Sequence, residues 1–124
     1  IGREPAVCLA DWRTGAGQSA MESAGPFSLV LAADVLYERE DITPLLDLVA
    51  RILLPGGTFL LAEPGRATSA QFLSDARDAG WTGPTVEITR DWPARAGQAR
   101  VRIHSLRRGT FPADQSLSAE PRPD

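Results

Sequence analysis

The strongest constraint in this chain is the run Phe27–Ala33, FSLVLAA, apolar everywhere but Ser28 and ending abruptly at Asp34. A near-continuous apolar run of this length fits a strand buried on both faces of a parallel sheet, because alternation disappears when neither face meets water. A carboxylate at the carboxyl end of such a strand stands where open α/β sheets take their ligands. The chemistry is therefore expected around Asp34-Val35-Leu36-Tyr37, which includes the only tyrosine of the chain. The plain alternative is that Asp34 caps the turn after the strand, a common use of aspartate.

The flanking segments extend an α/β pattern. Ala6-Val7-Cys8-Leu9 reads as a short apolar strand running into Ala10-Asp11-Trp12. The Gly-, Ser- and Ala-rich stretch from Thr14 to Pro26 reads as a loop with at most one weak helical turn. Thr43 and Pro44 predict a helix start, a hydroxyl N-cap followed by proline in the first helical position. Leu45, Leu48, Val49, Ile52 and Leu53 then form one apolar stripe, which Pro55-Gly56-Gly57 ends. Thr58 to Ala62 is a second buried strand, so strand, helix and strand make a crossover with parallel pairing.

Thr68 and Gln71 have capping-box spacing before a second helix, whose inward face is Phe72, Leu73, Ala76 and Ala79. Gly80 stops it, and Trp81 is expected to fold back over its end. Thr85 to Thr89 and Ala99 to Leu106 both alternate. In the latter Val101 and Ile103 face one side and Arg100, Arg102 and His104 the other. The segment from Asp91 to Gly97 is short enough to join them as an antiparallel hairpin. Residues 109–124, dominated by Pro, Ser and charge, read as a disordered tail after a domain spanning 1–108.

Composition narrows the function classes. A chain of 124 residues with 43% apolar content allows one globular domain. No apolar run reaches the ~20 residues of a membrane span, and no basic-then-apolar leader is visible after Ile1. The net charge of −3 argues against a nucleic-acid surface. Cys8, the single cysteine, cannot form an internal disulfide and suits a reducing cytoplasm. On an apolar strand it would act as a small hydrophobe. His104, without a second ligand nearby in sequence, reads as a surface residue, and no metal set is visible. Gly15-Ala16-Gly17 lacks the preceding strand and third glycine of a dinucleotide fingerprint.

Taken together, Ala10-Asp11-Trp12-Arg13, Asp34-Val35-Leu36-Tyr37, Pro55-Gly56-Gly57 and Glu63-Pro64-Gly65-Arg66 resemble class I (seven-β-strand) S-adenosylmethionine-dependent methyltransferases. The branch resembled is the one that methylates protein lysines, together with nicotinamide N-methylase-like bacterial proteins. The resemblance covers Val7 to Arg108 but only the second half of the family's domain. It implies a partial Rossmann-like fold: a mostly parallel sheet with a C-terminal antiparallel hairpin and helices on both faces.

The same resemblance implies S-adenosyl-L-methionine as cofactor and an amine nitrogen, on a protein lysine or a small molecule, as acceptor. It places Asp11 and Trp12 beside the cofactor's adenine, where an indole face stacks well. Ala33 would lie against the cofactor and Asp34 beside the transferred methyl and the acceptor amine, which it orients and whose proton it helps accept. Tyr37 either hydrogen-bonds that amine or is an amphipathic residue at a core edge. Glu63 and Arg66 would face the substrate, with Arg66 either pairing with Glu63 or holding an anionic group. Glu38 either belongs to a solvated charged loop with Arg39, Glu40 and Asp41 or contacts the substrate. Glu63 departs by one methylene from the family's Asp-Pro-Gly-Arg.

The family's glycine-rich turn and ribose-binding acid are missing, so this chain alone is expected to bind the cofactor poorly, as the carboxyl half of a longer record. That absence also predicts an unpaired, apolar edge on the strand ending at Asp34. A non-catalytic interaction module of the same fold and another Rossmann-type nucleotide-cofactor enzyme are the rival readings.

Overall fold

A computed structural model describes residues 3–91 and 98–109. The elements run α1 (Gly15–Ala24), β1 (Phe27–Ala33), a 3-10 turn (Arg39–Asp41), α2 (Ile42–Ile52), β2 (Leu53–Glu63), α3 (Ala67–Asp78), β3 (Trp81–Thr82), β4 (Thr85–Asp91) and β5 (Gln98–Arg108). β1 pairs parallel with β2, as the crossover through α2 requires. β5 then pairs antiparallel with β2, β3 and β4, inserting itself between β2 and β4. The described residues thus hold one parallel ladder, extended by antiparallel strands.

The core lies on one face of this sheet. Val30 and Ala32 of β1 pair with Phe59 and Leu61 of β2, which pair in turn with Leu106 and His104 of β5. Onto that face pack Leu45 and Val49 from α2 and Phe72 and Ala76 from α3, all buried. Phe59 and Phe72 meet edge to face with ring centroids 6.2 Å apart. Each of the larger of these side chains, fully buried, contributes about 1.5–3 kcal/mol.

All three described helices lie on this face, α1 against α2 and α2 against α3. The second helical layer expected on the other face does not occur among the described residues. There Leu29 is 50% exposed and Leu31 67%, with Val86 and Val101 beyond them. The expectation that β1 is buried on both faces is corrected accordingly. Among the described residues it is an edge strand whose single neighbour is β2, and its outward residues meet no packing layer there.

Several local expectations also shift. Val7 and Leu9 are exposed and form no strand, because no described strand offers them a ladder; Cys8 is likewise exposed, not a packed hydrophobe. The stretch after Thr14 is a ten-residue helix rather than a loop. The Thr14 hydroxyl caps it by accepting from Gly17 N–H at 2.9 Å, and Glu22 pairs with Arg51 of α2 at 3.7 Å.

α2 begins at Ile42, before the expected Thr43 cap; Pro44 sits in the first turn, where its missing N–H costs no bond. Pro55-Gly56-Gly57 belongs to β2 as an irregularity in the β1 register, with Gly56 at φ 80°. Thr68 does not cap α3; its hydroxyl donates to the Leu36 carbonyl in the segment after β1. Gly80, at φ 95°, ends α3, and Trp81 is buried beneath it as expected. Residues 92–97 of the hairpin and the tail from 110 lie outside the described residues.

Candidate active site

β1 delivers Asp34 to the rim with an unusual backbone. Its N–H continues the ladder, donating to the Ala62 carbonyl at 2.8 Å, but its φ is 51°. Left-handed backbone is costly for most side chains and tolerated by aspartate, so the residue ends the strand and turns the chain sharply. Leu36, buried at the core's edge, anchors the segment beyond the turn.

A second rim element comes from the turn after β2. Arg66 Nε donates to Asp34 Oδ1 at 2.7 Å and Nη2 to Oδ2 at 3.1 Å, a two-pronged grip. The same guanidinium lies over the Tyr37 ring, 4.4 Å from its centre, and the Tyr37 hydroxyl stands 3.5 Å from Asp34 Oδ2. Arg66 therefore pairs with Asp34, not with Glu63. The hydrogen bond from Arg66, helped by its charge and by Tyr37, holds the Asp34 carboxyl below its ordinary value and raises Arg66 in turn. Asp34 is thus a fixed anion, which weakens its expected part in accepting a proton.

The opposite wall is the Asp11-Trp12 segment, folded tightly around the start of α1. Thr14 N–H and its hydroxyl both donate to the Asp11 carbonyl, at 3.1 and 2.9 Å. Gly17 allows this: a Cβ there would stand 1.9 Å from that carbonyl oxygen. Gln18 Nε2 clamps the Trp12 carbonyl at 2.7 Å and that of Pro44 at 3.2 Å. The Trp12 ring is half-buried against the core, and its indole N–H is buried without a partner among the described residues.

Between these walls lies an open cleft of about 530 Å³, lined by Asp11, Trp12, Arg13, Asp34, Tyr37 and Glu38 among others. Its carboxylates, with Asp41, outnumber the one lining guanidinium. Arg13 spreads over Asp11 (3.4 Å), Asp41 (3.7 Å) and Glu38 (3.9 Å). The Arg13 N–H, with its side chain, also lowers the Asp11 carboxyl from its ordinary value. A surface of this kind favours a cationic guest.

Two expected members are elsewhere. Ala33 does not line the cleft but the adjoining apolar cavity of about 270 Å³, which Trp12 also lines. Glu63 is buried under α3, 3% exposed, with Oε1 accepting from Gly65 N–H and Oε2 2.9 Å from His104 Nε2. His104, expected on the surface, is 4% exposed, and its Nδ1 lies 2.8 Å from the Thr85 hydroxyl. Burial raises the Glu63 carboxyl, but the bonds from His104 and Gly65 outweigh it and leave it lowered. Among the described residues no group of three or more His, Cys, Asp or Glu is arranged to hold a metal ion.

Arg13, Gly17 and His104 were not singled out for the site by their sequence setting. His104 carried a signal in hindsight of register alone: it and Leu61 pair across strands, which places it one step from Glu63.

The sequence matches no family model, and no curated protein matches it. Its fold is similar to the crystal structure of a precorrin-6y C5,15-methyltransferase from Geobacter metallireducens GS-15. The TM-score is 0.52 over 72% of this chain, at 15% sequence identity. This chain spans 48% of that one, about half its length. The likeness is one of fold, and with the strand–helix order it gives a partial Rossmann-like α/β architecture.

Proposed function

We propose that this chain is the carboxyl-terminal part of an S-adenosylmethionine-dependent methyltransferase acting on an amine, of a protein lysine or a small molecule, in the cytoplasm. One observation carries the reading. Asp34, in left-handed backbone at the carboxyl end of β1, faces Trp12 across an acidic cleft. The fold similarity supports it, since ligands of open α/β sheets collect at this edge.

The residues fit one side of such a cofactor. The half-buried Trp12 ring gives the cleft wall a flat stacking surface, and the carboxylates suit a sulfonium. When bound, the cofactor would supply an electrophilic methyl group. The chain's own contribution is alignment and exclusion of water, the main needs of an in-line displacement. Asp34, kept ionised by Arg66, accepts a hydrogen bond from the acceptor N–H and orients its lone pair; the departing proton leaves through the open cleft. Tyr37 shields the acceptor with its ring. A glycine-rich turn and a ribose-binding acid would have to come from upstream.

A non-catalytic module is the second reading, and one observation favours it: both Asp34 oxygens are already engaged by Arg66. Calorimetry together with a methyl-transfer assay separates the two. The chain extended by the coding sequence ahead of Ile1 should bind the cofactor, while the 124-residue chain should not. No heat from the extended chain at millimolar cofactor would overturn the cofactor reading. Cofactor binding without transfer to any amine would favour the module.

A further inference from the structure

We infer that His104 is a positioning residue for the Asp34–Arg66 pair, acting from the neighbouring strand β5 through Glu63 and the Gly65 amide. The path is continuous. His104 Nε2 meets Glu63 Oε2 at 2.9 Å, and Glu63 Oε1 accepts from Gly65 N–H. Gly65 sits at φ 100° in the turn that hands Arg66 to Asp34, 2.7 Å away.

Each link has a physical reason. A buried carboxylate must be saturated with donors, and the Glu63 oxygens find theirs in His104 and in the turn. The acceptor so fixed holds the Gly65 amide in place. Glycine in left-handed backbone supplies no stiffness of its own, so that bond helps shape the turn, beside Pro64 and the Arg66 carbonyl that accepts from the Ser69 and Ala70 N–H groups. Arg66 is the next residue, and a two-pronged guanidinium–carboxylate contact survives only small displacements of its backbone. Thr85, on β4, closes the far end by holding His104 Nδ1 at 2.8 Å. His104 touches neither cleft wall, so its influence is on geometry alone.

The significance for methyl transfer rests on the function proposed above, but the test does not. Tyr37 is the only tyrosine and lies under Arg66, so [4-13C]tyrosine labelling gives one NMR signal from the site. Arg66→Ala defines the position of that signal when the guanidinium is gone. His104→Phe should carry the signal most of the way to the Arg66→Ala position. His104→Gln, whose amide N–H₂ can still donate to Glu63, should leave it near that of the unmodified chain.

A folded His104→Phe variant with an unmoved signal overturns the inference, as does His104→Gln displacing it as far as His104→Phe. Should His104→Phe not fold, Glu63→Gln replaces it, keeping volume while removing the charge that grips the Gly65 amide. Its signal should shift part of the way in the same direction, and no shift overturns the inference. Absence of methyl transfer leaves these readings unaffected.

Discussion

Arg66 grips both carboxylate oxygens of Asp34 while its guanidinium lies over Tyr37, joining the ends of β1 and β2 across 32 residues of sequence. A second stitch, from the Thr68 hydroxyl to the Leu36 carbonyl, fixes the same two loops. The rim is therefore built before any ligand arrives. Preformed geometry of this kind spares the ordering cost that a mobile site would meet on binding.

Arg66→Ala should let Asp34 titrate closer to the ordinary carboxylate range, as followed by carboxyl 13C shifts against pH. The direction of the stability change follows. Asp34 is lowered in the folded chain, so its contribution is present above the ordinary carboxylate range and fades as pH falls through the lowered value. Any loss in the variant is therefore greatest near neutrality, small because the pair is exposed to solvent, and it closes on acidification, so the variant's stability should depend less on pH than that of the unmodified chain.

Glu63→Ala removes one member of a buried pair and strands both His104 and the Gly65 amide. A loss of about 1–3 kcal/mol for each buried polar group left without its partner is expected in denaturant unfolding. The Glu63 carboxyl is lowered on balance, so the stability it contributes is likewise lost on acidification, through the range below its ordinary value. The unmodified chain should therefore lose more stability than Glu63→Ala between neutral and acid pH.

Phe72→Ala opens a void between α3 and β2 where the ring meets Phe59 edge to face. Urea unfolding should show a loss of about 3–5 kcal/mol.

Gly17→Ala and Gly15→Ala should behave oppositely, though both lie in the first turn of α1. The first would put a Cβ 1.9 Å from the Asp11 carbonyl and force the Trp12 wall to move, costing about 1–3 kcal/mol. The second meets nothing within 4 Å, so a gain of about 0.4–1 kcal/mol is expected. Thermal melts of the two variants side by side decide it.

What the sequence made readable was the part governed by local pattern. The bounds of Phe27–Ala33 and the stripe Leu45, Leu48, Val49 and Ile52 follow from apolar spacing, and the parallel pairing of β1 with β2 follows from the connecting helix. Thr68 misleads because a cap and a tertiary contact use the same residue type, and Thr43 because α2 begins one residue before it. α1 was missed because Gly and Ser weaken helix propensity, while its cap and its seat on α2 restore it. At the site, Asp34 and Tyr37 are near neighbours in sequence and were foreseeable together. The partner of Arg66 was not, since Glu63 and Asp34 both lay within plausible reach and only the burial of Glu63 separates them. His104 depended on β5 entering beside β2, a long-range choice that no local pattern encodes.

The outer margin of β1 has no described partner, and Leu29 and Leu31 project from its uncovered side. Two such margins brought together can extend each other's ladder and hide their leucines in one step. Purified alone, this chain should therefore be governed by dilution more than by heat: clear when dilute, and forming ordered multimers as it is concentrated, well below its melting temperature.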